Sequence, residues 1–331
     1  MKEPSKSRQP ARTAPDLSQV STGLLFFLIV LTGYSQPQNS RLSPPRPNNQ
    51  NDNQDTIKIN VDLVVLHATV QNSDLTPVSG LGKEDFQVYE DGVLQEIESF
   101  SHEDIPVTVG LVIDNSGSMR PKRAEVITAA LAFARASNDK DKIFVVNFNE
   151  HVSFGLPANT PFTNKTSQLE VALSKVAADG MTALYDAVAA ALDHLKKGNR
   201  DKQALIVISD GADNASRDNL AQIMALARRS DAIIYTIGIY DRDDPDRNPG
   251  SLKQLAKATG GAAFLPGSVT NIVQICERIA RDIRSQYTIT YVPTNINYDG
   301  KYRVIQVKAR ATDRGRLKVR ARAGYYAPLK P

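Results

Sequence analysis

Residues 107–119, Val-Thr-Val-Gly-Leu-Val-Ile-Asp-Asn-Ser-Gly-Ser-Met, are the most informative part of this sequence. Its apolar, β-branched part, Val107–Ile113, predicts a buried strand that ends abruptly in Asp-x-Ser-x-Ser. We expect the loop to present the carboxylate of Asp114 and the hydroxyls of Ser116 and Ser118 at the C-terminal edge of an α/β sheet, where such folds place ligands. Oxygen ligands suit a hard cation such as Mg²⁺. The pattern therefore favours a metal-centred binding site over a nucleophile.

The chain around this stretch alternates between strand and helix patterns. The alternation extends from Pro106 to Ser285, and it includes a helix predicted over Pro121–Ala136, where Pro is tolerated in the first turn. Alternating strands and helices are typical of a doubly wound, mostly parallel sheet with helices on both faces. We therefore predict one α/β domain over residues 106–285.

The segments on either side of this domain, residues 56–105 and 286–331, have β patterns instead. In the first, Phe86–Glu90 and the residues from Val93 onward flank Asp91-Gly92, which predicts a hairpin with a two-residue turn. Each segment alone is small for a stable core. We therefore expect the two to pack together as one discontinuous, β-sandwich-like domain into which the α/β domain is inserted.

The N-terminus has the features of a targeting segment. In residues 1–35, basic side chains precede the apolar run Leu24–Leu31, and small residues follow it. We interpret this as a signal peptide or, if uncleaved, an N-terminal anchor and the chain's contact with a membrane. Residues 36–55 are rich in Pro, Asn, Gln and Ser, which predicts a disordered linker. The expected location is therefore periplasmic, cell-surface or secreted.

The composition argues against several classes of site. The 331 residues include four His without the spacing of zinc ligands and one Cys, Cys276, in a helical pattern, which we interpret as a small buried apolar side chain. Neither a Gly-x-Ser-x-Gly motif, a Walker loop nor a dinucleotide fingerprint is present. The Asp-rich residues 241–246 lack the central Gly and closing Glu of an EF-hand, so we interpret them as a solvated loop.

Positive charge is concentrated at the C-terminus, although the whole chain has a net charge of only +4. Basic and apolar residues alternate there, and the pattern places Arg316, Lys318, Arg320 and Arg322 on one face of a strand. We interpret this as the wet face of a half-buried strand. The alternative is a surface that contacts anionic lipid headgroups or acidic polymers. Nucleic acid is not an expected partner of an exported chain.

Two further motifs extend the first one. Residues 180–186, Gly-Met-Thr-Ala-Leu-Tyr-Asp, enter a predicted helix, and residues 208–211, Ile-Ser-Asp-Gly, end a predicted strand. Together with residues 114–118, and in this order, they resemble the von Willebrand factor type A (VWA) domain family over residues 106–285. In that family the three loops build a metal-ion-dependent adhesion site, so the resemblance implies an adhesion-type binding module rather than an enzyme.

The resemblance also implies a role for each residue. Ser116 and Ser118 would bind the cation directly, Thr182 directly or through water, and Asp114 and Asp210 mostly through bound water. The cation would be Mg²⁺, with Mn²⁺ or Ca²⁺ as alternatives, because all three take oxygen ligands. With few carboxylates on it, the metal stays electrophilic, and an acidic side chain of a protein ligand completes its shell. Nothing in this arrangement supplies a general base.

Each motif alone also has a simpler structural interpretation. Asp114, Ser116 or Ser118 could cap the helix that follows them, Thr182 could cap the next helix, and Asp210 could belong to a plain turn. An alternative function also stays open. The chain could be a structural or assembly scaffold of the envelope, with a metal site that only stabilises the fold.

Overall fold

We describe a computed structural model of the chain, which covers residues 63–240, 247–312 and 314–329. The predicted signal peptide or anchor (1–35), the linker (36–55), the start of the first β segment (56–62) and the Asp-rich residues 241–246 lie outside the described residues. In the part of the chain that is described, no helix is both long and apolar enough to cross a membrane.

The elements follow the predicted alternation. The strands are β1 (Val64–Gln71), β2 (Phe86–Glu90), β3 (Val93–Gln95), β4 (Ile97–Ser101), β5 (Val107–Asp114), β6 (Lys142–Phe148), β7 (Val152–Phe154), β8 (Lys202–Ser209), β9 (Ile233–Gly238), β10 (Ala263–Phe264), β11 (Tyr287–Tyr291), β12 (Tyr302–Ala309), β13 (Lys318–Arg320) and β14 (Gly324–Tyr326). The helices are α1 (Arg123–Ala136), α2 (Thr166–Ser174), α3 (Leu184–Leu195), α4 (Leu220–Arg229), α5 (Pro249–Thr259) and α6 (Ile272–Arg284).

A six-stranded sheet in the order β10-β9-β8-β5-β6-β7 forms the centre of the α/β part. All its pairings are parallel except that of β6 with the edge strand β7. Every residue of β5 is buried, as expected for a central strand covered by helices on both faces. At Gly110 an added Cβ would clash with the Phe144 ring, so this position needs glycine for that ring of β6 to pack against the backbone of β5. The predicted doubly wound, mostly parallel fold is confirmed.

The flanking segments form two further sheets, each with strands from both ends of the chain. Their orders are β13-β1-β11-β4 and β14-β12-β2-β3, with antiparallel pairing throughout. The predicted hairpin turns at Asp91-Gly92, where both residues have positive φ (48° and 85°), as a type I′ turn requires. A separate core of buried side chains from the two segments includes Leu66, Val88 and Tyr287. The domain boundaries given above stay predictions.

The structure corrects two sequence-based expectations. The helix predicted to begin at Pro121 begins at Arg123, because residues 117–122 form a 3₁₀ helix that contains the proline. The predicted wet face is wrong for two of its four basic residues. Arg320 donates to Asp282 on α6 at 2.7 Å, and Arg322 donates to Asp231 at 2.7 Å. Both arginines therefore join the C-terminal strands to the α/β part, while Arg316 and Lys318 are exposed.

Candidate metal site

The first candidate loop begins where β5 ends, between its neighbours β6 and β8. Both oxygens of the buried Asp114 carboxylate accept hydrogen bonds, Oδ1 from the backbone N–H of Ser116 at 2.8 Å and Oδ2 from the hydroxyl of Ser209 at 2.6 Å. These bonds fix the carboxylate at the C-terminal edge of the sheet. Ser116 precedes the 3₁₀ helix but makes no side-chain capping bond to it, and Lys122 precedes α1. The loop side chains thus do not act as helix caps.

A row of oxygen atoms connects this loop with the end of β8. The hydroxyls of Ser116 and Ser118 lie 3.1 Å apart, and Ser118 Oγ donates to Asp210 Oδ2 at 2.5 Å. The other oxygen of Asp210, Oδ1, accepts from the backbone N–H of Ala212 at 3.0 Å. Contacts therefore bring together four of the five candidate residues, from two loops that are almost one hundred positions apart in the sequence.

The loop that contains Thr182 is tied to the first loop through its backbone. Gly117 N donates to Gly180 O at 3.0 Å, and Asp179 N donates to Asn115 O at 2.9 Å. Gly180 has a φ of +78°, a conformation that glycine adopts without strain. Thr182 itself is buried, and its backbone N–H donates to Asn214 Oδ1 at 2.8 Å. Ala183, not Thr182, is the N-cap of α3, so the threonine hydroxyl is not used for capping.

The electrostatics of the site fit a cation. Asp114 and Asp210 are both buried, and burial, followed by the charge of Asp210, raises the pKa of Asp114 to about 7. The hydrogen bonds from Ser116 and Ser209 lower that pKa only in part. A nearby positive charge would offset this effect and favour the ionised form of Asp114 at neutral pH. A divalent ion would supply it, and hydroxyls with only two carboxylates match the mixed ligation by protein and water that Mg²⁺ prefers.

The donor set also limits what the site can be. Across the described ranges, no group of three His, Cys, Asp or Glu side chains is placed to hold a metal, so any cation here depends on the hydroxyls. Ser118 donates to the Asp210 carboxylate within the candidate site. The four histidines instead contact other parts of the chain. His67 contacts Thr288, and His102 contacts Ser285 and Tyr287. His151 lies near Glu150, and His194 contacts Pro161 and nearby Phe rings. With a divalent cation bound, the arrangement would hold and polarise an oxygen ligand.

Sequence reasoning missed several residues that support the site. Ser209 donates to Asp114 and its Oγ also accepts from Gly211 N at 3.0 Å, so it joins the ends of β5 and β8. Asn214 holds Thr182, as described above, and Ser216 accepts from the N–H groups of Tyr185 and Asp186 at 3.1 Å. Ser209 stands directly before Asp210, and a polar residue closing an apolar strand was a usable signal. Asn214 gave none, because its contact depends on how two distant loops meet.

Comparison with known proteins found similar solved structures but no curated relative in sequence. Of the curated proteins compared with this chain, none matches its sequence. Among solved structures, the fold is similar to a von Willebrand factor type A protein from Catenulispora acidiphila, with 14% identity, 82% of this chain and 74% of that chain covered, and a TM-score of 0.49. It is also similar to the vWF domain of the type V pili tip protein Mfa5 from Porphyromonas gingivalis, with 15% identity, coverages of 54% and 95%, and a TM-score of 0.43. A third similar structure is that of the manganese-loaded TRAP protein of Plasmodium vivax, with 13% identity and a TM-score of 0.43. The match covers 75% of this chain and 100% of that chain.

The family itself follows from the sequence. The profile of the von Willebrand factor type A domain matches residues 108–278, which is more than half of the chain and lies within the predicted α/β domain. Members of this family commonly mediate protein–protein binding, often carry a divalent cation and generally are not enzymes. The sequence motifs, the sheet and the profile agree, and the chain belongs to the von Willebrand factor type A domain family.

Proposed function

We propose that this chain is an exported, metal-ion-dependent protein-binding module of the adhesion type. A divalent cation, Mg²⁺ with Mn²⁺ or Ca²⁺ as alternatives, would be held by the side chains of Asp114, Ser116, Ser118, Thr182 and Asp210. The observation that carries the proposal is the row of oxygens from Ser116 through Ser118 to Asp210, next to the buried Asp114 carboxylate.

The chemistry of this donor set supports an acidic protein ligand. With Asp114 and Asp210 acting mostly through bound water, hydroxyls and water would leave the inner shell of a divalent cation without an anionic ligand, and a partner's Asp or Glu would add one. The surrounding surface is compatible with such a partner. Arg120 is already paired with Asp179 at 2.9 Å, whereas Met181, next to Thr182, is 53% exposed and would provide an apolar contact.

Export is proposed from the sequence alone. Basic residues, an apolar run and small residues in the first 35 positions match a signal peptide or anchor, and the Pro- and Asn-rich stretch that follows would tether the binding module. Radiolabelled chain expressed in a bacterial host would be expected in the periplasmic or surface fraction, and recovery only with the cytoplasm would contradict export.

Calorimetric titration tests the metal site. We expect one-site binding of Mg²⁺ and Mn²⁺ to the full chain and loss of that binding in Asp114→Ala/Ser116→Ala. The matched control is Asp193→Ala/Ser153→Ala, which removes the same functional groups away from the site and should leave binding intact. A folded parent chain that binds none of Mg²⁺, Mn²⁺ or Ca²⁺ would contradict the proposal.

A second measurement tests the acidic ligand. With Mn²⁺ bound, water-proton relaxation reports exchangeable positions on the ion, and glutarate serves as a carboxylate probe. We expect the relaxation enhancement to fall as glutarate displaces bound water. The alternative function, an envelope scaffold, is favoured by the two sheets that contain strands from both flanking segments. Under that alternative, removal of the metal by a chelator would lower the melting temperature, and glutarate would not change the relaxation of water protons.

A further inference from the structure

A second concave surface lies at the opposite edge of the central sheet from the candidate metal site. This groove has a volume of about 890 Å³. Its walls are the start of β1, the loop after β11 (residues 292–298), the chain from Tyr325 to Leu329, the end of α4 (Arg228 and Arg229) and, shortly after it, Asp231. The end of α4 leads into the N-terminal end of β9, whereas the metal loops follow the C-terminal ends of β5 and β8.

The groove is unusually apolar for a surface. Single exposed apolar side chains are normal, but a contiguous exposed apolar patch indicates a binding site. Among the described residues thirteen large apolar side chains are exposed, and five of them line this groove, namely Leu63, Val65, Ile296, Tyr298 and Leu329. Ile296 and Leu329 are 80% and 74% exposed, so both are available to a ligand.

The charge of the groove is positive. Four arginines and one aspartate line it, and two of the arginines are neutralised, Arg322 by Asp231 at 2.7 Å and Arg303 by Glu90 at 3.1 Å. The other two, Arg228 and Arg229, lie over the rings of Tyr302 and Tyr326 at 5.3 and 4.6 Å. Within the described ranges neither of them has an ion-pair partner, and the buried Nε of Arg228 has no hydrogen bond. Two positive charges therefore face the groove without an anion.

The groove also borders an open strand edge. In its sheet β1 lies between β11 and β13, but β13 pairs only with Thr69–Gln71. Within the part of the chain that the structure describes, Val64–Ala68 therefore pair with β11 on one side and have no strand on the other. Unpaired N–H and C=O groups along such an edge are a template for an added strand.

We propose that this groove binds an extended, acidic and apolar segment of a partner protein, which adds as a strand to β1. Main-chain hydrogen bonds to β1 would give affinity, and alternate side chains would give specificity, as in other strand-addition complexes. Apolar side chains of the segment contact Ile296 and Leu329, and its carboxylates pair with Arg228 and Arg229. The surface is separate from the metal site and does not depend on the function proposed for it.

Fluorescence anisotropy tests the proposal with short labelled peptides. The probe is a blocked peptide in which Glu and Val alternate, and its counterpart has Lys in place of Glu. Both are titrated with the full chain in EDTA, so that any metal site is empty of cation in the assay. We expect the Glu–Val peptide to bind at least about tenfold more tightly than the Lys–Val peptide, a difference of ~1.4 kcal/mol.

Two exposed substitutions with matched controls locate the binding. Arg229→Glu should weaken binding of the Glu–Val peptide about tenfold, and Ile296→Ser should weaken it about threefold. The controls Arg135→Glu, at the exposed end of α1, and Val171→Ser, 71% exposed on α2, should change the affinity by less than about twofold. All four substituted side chains are exposed, so circular dichroism should show an unchanged fold.

Several results would overturn the proposal. Equal affinity for both peptides, no binding of either, or equal losses in the control variants would each do so. Self-association that Arg229→Glu abolishes, without peptide binding, would assign the groove to a second copy of this chain. Peptide binding that appears only after cleavage before Leu63 would assign it to the chain's own preceding residues.

Discussion

The ion pair between Arg320 and Asp282 leads to the sharpest prediction about stability, because the two side chains connect the C-terminal strand β13 with helix α6 of the VWA domain. The Asp282 side chain is 0% exposed, and Arg320 Nη2 donates to its Oδ2 at 2.7 Å. Among the residues that the structure describes, the other oxygen, Oδ1, has no hydrogen-bond partner, and neither do Arg320 Nε and Nη1. The carboxylate therefore depends on one arginine for compensation of its charge.

Arg320→Ala should destabilise the folded chain strongly. Removal of one partner from a buried ion pair leaves an uncompensated charge and costs about 3–5 kcal/mol. The intact pair is worth far less than this, because its desolvation and its unpaired donors offset the attraction. Replacement of both side chains, as Arg320→Met/Asp282→Leu, should therefore leave stability within about 1 kcal/mol of the parent chain.

Urea unfolding monitored by circular dichroism measures these free energies. Lys196→Ala is the control, because Lys196 pairs with Asp193 at 3.1 Å and both side chains are at least 70% exposed. Exposed pairs of this kind contribute about 0–0.5 kcal/mol. A loss below ~1 kcal/mol for Arg320→Ala, or a double variant that is less stable than the single one, would refute the reasoning from burial.

Three further predictions concern the loops and the titratable groups. Gly180→Ala should cost about 1–2 kcal/mol and weaken Mg²⁺ binding, because a φ of +78° strains any residue that has a Cβ, whereas Gly267→Ala, with open space around it, should be neutral in the same titration. Burial lowers the pKa of His67 to about 4, so on acidification the unfolded chain binds a proton before the folded chain does. The free energy of unfolding should therefore fall by on the order of 3 kcal/mol as the pH drops from about 6.5 towards 4. His67→Gln should remove that dependence in acid-unfolding curves and the exposed His151→Gln should not. Burial raises the pKa of the Cys276 thiol to about 12, so a thiol reagent at pH 8 should label the chain only after denaturation, and rapid labelling of the native chain would contradict its burial.

The fold class could be predicted because its signals are local. The β-branched run that ends at Asp114 and the regular alternation of strand and helix patterns do not depend on distant contacts, and both the α/β sheet and the family are confirmed. Carboxyl ends of parallel strands meet at one edge of a sheet, so the motifs after β5 and β8 were expected to lie close together. The structure joins Ser118 to Asp210 by a hydrogen bond. Metal binding by these residues stays a prediction.

The helix start and the basic strand show where local patterns stop being informative. Pro121 is compatible with the first turn of an α-helix and equally with a 3₁₀ turn, and the packing of the loop decides between them. Alternation placed Arg320 and Arg322 on one face of a strand, but it does not tell what packs on that face. Here the face meets Asp282 and Asp231 of the α/β part, so these charges join two parts of the chain.

The α/β alternation, the β character of both flanks and the order of the three candidate metal loops can be predicted from the amino-acid sequence, because periodicity and strand ends are properties of neighbouring residues. Which residues distant in the chain meet depends on the three-dimensional packing. The packing pairs β1 with β11 across more than two hundred positions, places the Ser209 hydroxyl on Asp114, and brings Arg228 and Arg229 into one groove with exposed apolar side chains. Burial and the charges of spatial neighbours set the pKa of Asp114 and the cost of an unpaired Asp282, and neither quantity is encoded in a local pattern.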